Sequence, residues 1–594
     1  MADAPPPTPA SNQDGAASAV GHNARSQRGD RNRGGRGGRG RGRGGQSKGR
    51  GRGFGSKDSG ERHKKRDMGR GEWKRARNDE EQATKRRKTE DGGEVATYST
   101  PFTKEEIEAE TRKPKRKVAV MIGYAGSGYK GMQINAQEKT IEGDLFKAFV
   151  AAGAISKNNS DDPKKTSLVR CARTDKGVHA AGNVISLKLI VEEPDIVQTI
   201  NEHLPPQIRV WGIERTNGSF SCYTTCDSRW YEYLIPTYSF LPPHPQSFLG
   251  KKLVESAEDE GVFETYQSHQ EDVASFWKDA EDAYVKPILD KLDPEMRDAV
   301  IATIHSSEEE TDDQKKLTKK QIKEDRKSKL EAMDGVAEPD VVALEEEKPE
   351  LESVSILTPL EKAIKEVKAA YVNAKKAYRI SPFRRQRVQE ALDCYVGTRN
   401  FHNYTIQKTF SDPSAKRVIR SFKVGPDPII INDTEWLSLK VHGQSFMMHQ
   451  IRKMVAMAAL IVRCGTSKDL IIDSYGPANI SIPKAPGLGL LLERPVFDSY
   501  NERAVREFSR EKLDFDKYKK EMDEFKQREI YDRIFREEEK DHQFHAFFHH
   551  IDHFRTDYFL WVTAKGISAA KQSKAPARTD DLSDDEVDVN GEEG

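Results

Sequence analysis

Cys171-Ala172-Arg173-Thr174-Asp175-Lys176-Gly177-Val178-His179-Ala180 is the stretch on which the reading of this chain turns. It follows a polar, loop-like run (156–165) and the apolar pair Leu168-Val169. It leads into alternating apolar residues from Val184 to Leu189 that predict a strand. Within it one carboxylate, Asp175, stands between Arg173 and Lys176, with Gly177 free to make a tight turn and His179 close by. Flanking cations lower a carboxyl pKa, so Asp175 is expected to be ionised at neutral pH. The same local chemistry describes an ordinary surface Asp in a charged turn. The rest of the chain has to decide between the two.

The chain has 594 residues, long enough for two or three domains, yet 32% of them are charged, only 35% are hydrophobic, and the mean hydropathy is −0.79. Long segments therefore cannot bury enough apolar surface to fold alone. A net charge of +1 conceals opposite ends: residues 23–53 hold eleven Arg or Lys against one acid, and the last fifteen residues hold eight acids and no base. Such a basic arm points to a polyanionic partner, most simply nucleic acid. Five irregularly spaced cysteines make no disulfide framework, which fits a reducing compartment. The longest apolar run, Met454 to Val462, is bracketed by Lys453 and Arg463 and is too short to span a membrane, so it reads as a buried helix. The N-terminus has neither a signal-peptide core nor a transit-peptide pattern. A soluble intracellular protein without a membrane partner is expected.

Six regions follow from the composition. Residues 1–112 are a disordered arm with Arg-Gly-Gly repeats between Arg33 and Arg52, suited to loose RNA binding or to solubilisation. Its basic clusters, Lys74-Arg75-Ala76-Arg77 and Lys85-Arg86-Arg87-Lys88, look like a bipartite nuclear-import signal. Order is expected from about Lys115 through a lobe at 113–250. A charged helical insertion and linker fill 251–355, a second lobe 356–500, a helical extension 501–566 and an acidic disordered tail 567–594.

In the first lobe, Val118, Val120 and Ile122 predict a strand that runs into a turn with four glycines, Gly123 to Gln133. That turn lacks the Lys-Ser/Thr end and glycine spacing of a phosphate loop, which excludes nucleotide binding there. Thr140 caps a helix, and Ile208–Ile213 and Tyr231–Ile235 read as strands. In Arg229-Trp230-Tyr231-Glu232-Tyr233, alternation puts Tyr231 and Tyr233 on one face, Trp230 and Glu232 on the other. Exposed beside basic groups, such aromatics become a base-stacking platform; otherwise they are core. In the second lobe, Gly397 to Tyr404 reads as a loop, and Ile429–Ile431 with Leu437–Val441 as a hairpin around Asn432-Asp433. A helix is expected over Phe446 to Val462, carrying His449, Arg452 and Lys453 at its start. Arg452 falls on its apolar side, where an unpaired guanidinium costs several kcal/mol, so an anionic partner is required. The tail histidines 542, 545, 549, 550 and 553 include helical i,i+4 pairs, but the interleaved Phe residues suit packing better than a metal, and Cys222 and Cys226 are too isolated for zinc. No metal site and no cofactor are expected.

Taken together and in order, six segments resemble the TruA-type pseudouridine synthase family. They are Gly123–Gln133, Cys171–Ala180 with its Arg-Thr-Asp-x-Gly-Val-His-Ala string, Arg229–Tyr233, Gly397–Tyr404, Phe446–Met454 and Ala485–Leu492. The Asn-Phe-His-Asn-Tyr loop, Lys176 and the C-terminal extension resemble its eukaryotic nuclear, multisite branch. The Arg-Gly arm and the long insertion lie outside the family core. The resemblance implies an α+β fold of two mixed α/β lobes, with largely antiparallel sheets, flanking a basic cleft. It implies isomerisation of uridine to pseudouridine in transfer RNA, and by extension in small nuclear RNA and messenger RNA, with no cofactor. Asp175 would be the catalytic carboxylate, as nucleophile at C1′ or as base at C2′; both remain open. Arg452 matches the ion-pair partner of that Asp, Tyr231 the tyrosine stacked on the target uracil, and Arg173 a residue holding the flipped conformation. A monomer in the nucleus, delivered by an import receptor, completes the expectation. A non-catalytic RNA-binding or chaperone protein using the same cleft is the alternative, disfavoured because an ion pair and a base stack serve a purpose only around an active site.

Overall fold

The computed structural model describes residues 96–305 and 359–570. The Arg-Gly repeats, both import-like clusters, the linker 306–358 and the tail 571–594 lie outside the described residues.

Ten strands form one mixed sheet: β1 (Arg116–Tyr124), β2 (Val169–Arg170), β3 (His179–Leu189), β4 (Ile208–Arg215), β5 (Ser228–Pro236), β6 (Gly397–Asn400), β7 (Lys416–Val424), β8 (Ile429–Ile431), β9 (Thr434–Gly443) and β10 (Leu490–Val496). The order is β4-β1-β3-β10-β5-β9-β7-β6, with β2 added to β3 and β8 to β9. Every pairing is antiparallel except β10 with β3, where Leu491 and Leu492 lie beside His179 and Ala180. β10 comes last among these strands, yet it sits between β3 and β5 of the first lobe, while β5 pairs with β9, so the strands of both lobes form one sheet.

The expected hairpin is β8–β9, turned by Asn432 and Asp433 at φ 48° and 62°, conformations that Asn and Asp tolerate. β1 is buried from Val118 to Tyr124 rather than alternating, as both its faces are covered; helix α1 (Ile141–Ala151) and residues of the C-terminal extension share its core. Thr140 caps α1, its Oγ1 accepting from Gly143 N at 3.2 Å. Packing starts ahead of Lys115: Tyr98 meets Phe146 edge-on at 6.2 Å, and Thr103 caps the short helix Lys104–Glu108. Gly397–Asn400, expected as loop, is an edge strand paired with β7; its polar composition hides a register that only the partner strand imposes.

The insertion packs through α2 (Pro294–His305) and α3 (Pro359–Ala377) around a small separate core that includes Val300 and Val367. It is clamped by Arg384 of α4 (Pro382–Asp393), which is fully buried and donates to Phe240 O and Gln270 Oε1, each at 2.8 Å, and to Asp272 Oδ1 at 2.9 Å. Helix α5 (Gln450–Arg463) is buried along its whole length. The expected start at Phe446 is corrected: residues 446–449 are a loop, because His449 adopts φ 61° and breaks the helical path. The extension lies across the sheet. A Cβ on Gly212 would sit 2.0 Å from Tyr518 Oη, so only glycine lets Tyr518 seat there. Further on come α6 (Asp532–Asp541) and α7 (Gln543–His553). The tail histidines pack: His545 Nδ1 is 3.1 Å from Lys375 Nζ, and His549 stacks on His553 at 4.1 Å. Among the described residues no group of His, Cys, Asp or Glu is placed to hold a metal ion, and no helix is long and apolar enough to cross a membrane.

Candidate active site

The loop between β2 and β3 leaves the sheet just where β3, β10 and β5 adjoin. Cys171 N still donates to Val184 O at 2.8 Å, continuing the ladder for one residue. At the far end Gly177, at φ +76°, closes a turn in which Val178 N donates to Asp175 O at 3.1 Å. Between these points the loop is moored from below. Asn183 Nδ2 donates to Ala172 O at 3.0 Å, Tyr124 Oη lies 2.9 Å from Thr174 Oγ1, and Met132 N donates to Thr174 O at 3.2 Å. A Cβ on Gly131 would stand 3.0 Å from Thr174 O, so the glycine turn 123–133 is a close-fitting buttress for this loop. Arg170 reaches down to the buried Glu142, Nη2 to Oε2 at 2.8 Å, and Glu142 Oε2 also accepts from Ile134 N at 2.9 Å.

Asp175 is thereby held toward the start of α5. Its Oδ2 lies 3.2 Å from His449 Nδ1 and 4.0 Å from Arg452 Nη1. The imidazole approaches the carboxylate closely without the alignment of a good hydrogen bond, since Nδ1 meets no acceptor in good geometry. Arg452 is oriented from behind by Ala485 O, which accepts from Nε at 2.7 Å, and the glycine turn at Gly487 gives its guanidinium room. Burial pushes the Asp175 carboxyl pKa up, but His449, then Arg452 and Lys484, outweigh it and leave the carboxyl below its ordinary value. Its side chain keeps 31% of its surface accessible, so it is ionised, partly desolvated and reachable at once.

Opposite stands Tyr231, on β5 between Leu492 and Val441, its ring edge-on to Phe446 at 5.2 Å and 79°. Burial raises its phenol pKa in spite of the nearby Arg229, so the ring presents a neutral face. Arg229 is itself buried and donates through Nη2 to Cys171 O at 2.8 Å, tying β5 to the loop. These groups line a cleft of about 410 Å³ to which Arg170, Arg173 and Arg229 give a basic wall.

The structure therefore brings Asp175 and Tyr231 together in one cleft, with Arg452 buried beside Asp175 and Arg173 exposed at the rim. The side chain nearest Asp175 on the facing segment, His449, was not singled out in the sequence, where reading Phe446 to Val462 as one helix placed it on a helical face. The Phe-x-x-His-x-Ile-Arg string contained it, but only the left-handed turn aims its ring at Asp175. His179, by contrast, is wholly buried; Nδ1 accepts from Gly126 N at 3.1 Å, a packing role. The arrangement can hold an anionic carboxylate against a flat, stacked ring, with the Arg452 guanidinium and the His449 imidazole beside it to steady charge.

A family model described as tRNA pseudouridine synthase matches residues 391–498. Over longer stretches the chain is similar to proteins named tRNA pseudouridine synthase 1. It is 45% identical to that of Eremothecium gossypii over 81% of this chain and 80% of the relative. For the Yarrowia lipolytica protein the figures are 44%, 84% and 87%, and for the Schizosaccharomyces pombe protein 42%, 88% and 99%.

Proposed function

Because the chain belongs to the tRNA pseudouridine synthase family, we propose that it isomerises uridines of transfer RNA to pseudouridine in the cleft around Asp175. In this reaction the N1–C1′ bond breaks and C5 joins C1′; the C5 proton leaves and N1 gains one, so atoms and electrons balance without a third reactant. The observation that carries the assignment is the ionised, partly accessible Asp175 carboxylate, bracketed by His449 at 3.2 Å and Arg452 at 4.0 Å and facing the ring of Tyr231 across the cleft. Asp175 is the catalytic carboxylate, acting against the sugar of a flipped-out uridine. Arg452 fixes that carboxylate and favours its charge. Tyr231 stacks on the uracil, and Arg173 at the rim holds the RNA with the target base extruded, which offsets the few kcal/mol that unstacking costs.

The wider expectations belong to the same proposal. Small nuclear and messenger RNAs are further substrates, since the cleft's basic wall answers to phosphate rather than to sequence. The import-like clusters at 74–77 and 85–88 direct the protein to the nucleus through an import receptor. The same proposal has it work as a monomer.

The test is release of tritium from C5-labelled uridine in transfer RNA. The wild type should release label at a rate that Asp175→Ala reduces at least a thousandfold, on the order expected for losing a covalent or general-base group, while RNA binding survives. Equal release from the two proteins would sink the assignment.

A further inference from the structure

Strand β5 has two faces. Tyr231 serves the cleft, while Trp230 and Glu232 lie on the opposite face of the sheet. Glu232 is buried beneath the extension, held by Lys526 at 2.8 Å and Tyr531 Oη at 2.6 Å. Trp230 is not sealed in this way: it is partly buried and stands outside the hydrophobic core. Its indole stacks on His442 of β9, ring centroids 4.2 Å apart and planes 11° from parallel. His442 Nε2 lies 2.8 Å from Ser228 Oγ, to which Arg420 Nη1 donates at 3.3 Å. Burial and Arg420 together lower the His442 pKa, so the imidazole stacks as a neutral ring.

Four cations frame this flat surface. Arg420, Lys423 and Lys440 are exposed, and Arg494 of β10 lies cross-strand from Trp230. Lys423 is paired with Asp393 at 2.8 Å and Arg494 with Asp516 at 2.9 Å. Among the described residues neither Arg420 nor Lys440 has an acidic partner. An acidic peptide would satisfy the charges and leave the stacked rings in water. A nucleic acid satisfies both, phosphates for the cations and a base face for the indole.

We propose that Trp230, His442, Arg420 and Lys440 form a second RNA-contact surface, on the sheet face opposite the catalytic cleft. It takes a segment of the transfer RNA away from the modified uridine. The proposal rests on the reading of the chain as acting on transfer RNA. The route between the faces is short: Ser228 pairs with Val496 and Arg229 with Gly443, so the ends of β10, β5 and β9 are level beside the cleft. RNA leaving the cleft past Arg229 turns this edge and meets Trp230.

The experiment uses the full chain and an unmodified transfer RNA transcript, with binding followed by fluorescence anisotropy across salt and turnover by tritium release. Arg420→Gln/Lys440→Gln, both on exposed positions, should lower the slope of log K against log salt by about 2. It should raise KM while the single-turnover rate at saturating RNA stays within about twofold of wild type. Trp230→Ala should weaken binding roughly fivefold or more, and Trp230→Phe should restore most of that loss, as stacking requires and a folding defect does not. Unchanged slope and KM overturn the proposal. So does a fall in saturating rate at constant KM, which would make these residues supports of β5. Tighter binding by the double variant would place an acidic segment of the chain on the patch and overturn it too. Failure of the parent reading looks different: the wild type itself releases no label.

Discussion

Replacing Arg452 by Gln shortens the side chain but leaves an N–H near the position of Nε, within reach of Ala485 O, and removes a charge 4.0 Å from Asp175 Oδ2. Coulomb's law at an effective dielectric of ~20 puts that interaction at about 4 kcal/mol. Solvent reaches 31% of the Asp175 side chain, so screening reduces it to roughly 1–2 kcal/mol, about one pKa unit. The sign is fixed by what remains. Burial, the largest influence on this carboxyl, pushes its pKa up and is opposed by His449, Arg452 and Lys484; with Arg452 gone, burial gains ground and the pKa rises from its lowered position. The reaction needs the ionised form, so activity is retained above the folded pKa and lost as pH falls through it. The acid limb of the single-turnover rate, measured by tritium release at saturating RNA from about pH 3 to 8, should therefore move up by about one unit in Arg452→Gln. At pH 7 the variant's carboxylate is still ionised. Any deficit there reports lost positioning of Asp175, on the order of tenfold to a hundredfold. A variant whose acid limb coincides with that of wild type, whatever its rate at pH 7, would refute the electrostatic role.

Two further perturbations test the frame around the site. Glu142→Gln leaves Arg170 facing a neutral amide in a buried place, which should cost roughly 2–4 kcal/mol in chemical unfolding and reduce turnover as the cleft wall loosens; an undiminished unfolding midpoint would show that the pair contributes nothing. Stability should also fall on acidification. Burial, with Arg533 beside the first and His553 and Lys375 near the second, lowers His179 to about 3 and His244 to about 4. Both are thus favoured as neutral rings, and their contribution is complete above the unfolded value near 6.5 and is lost below it, roughly 2 kcal/mol each by pH 5. His545 and His549 act in the same direction. Glu538, raised to about 7 mainly by burial, opposes them, losing its contribution as pH rises toward 7. With four groups against one, the thermal midpoint should drop by several degrees from pH 7.5 to pH 5, and a flat or rising midpoint would contradict the assignment of buried neutral imidazoles.

Much of what matters was legible without coordinates because it is local. Alternation marked the cores of β1, β3, β4 and β5; Asn432-Asp433 marked a hairpin; Thr140 marked a helix start. Asp175 was suspect from its cationic neighbours, and Arg452 because a guanidinium on an apolar helical face needs an anion. Spacing could not supply the encounters between distant segments. The parallel pairing of β10 with β3 brings the last strand to the middle of the sheet, so that Ala485, just ahead of it, holds Arg452 of α5 beside the loop that carries Asp175. The edge strand Gly397–Asn400 owes its form to β7, and Arg384, one of three closely spaced arginines, turned inward because backbone carbonyls and Asp272 waited there.

Residue identity along the chain determined that Asp175 would be a charged carboxylate in a turn, that Arg452 would need a partner, and that Trp230 and Tyr231 would part to opposite faces. Those outcomes depend on side-chain chemistry and on the two-residue period of a strand, which any stretch of chain carries with it. Only the tertiary structure decided that Asp175 meets both Arg452 and His449, with the His449 ring turned toward it by a backbone at φ 61° that helical periodicity gave no sign of. Tertiary packing also decided that Glu232 is fully covered while Trp230 is only partly so, because the extension crosses the sheet at Lys526 and Tyr531 and leaves part of Trp230 exposed. Contacts between residues hundreds of positions apart depend on how the elements pack, and a one-dimensional pattern does not encode that distance.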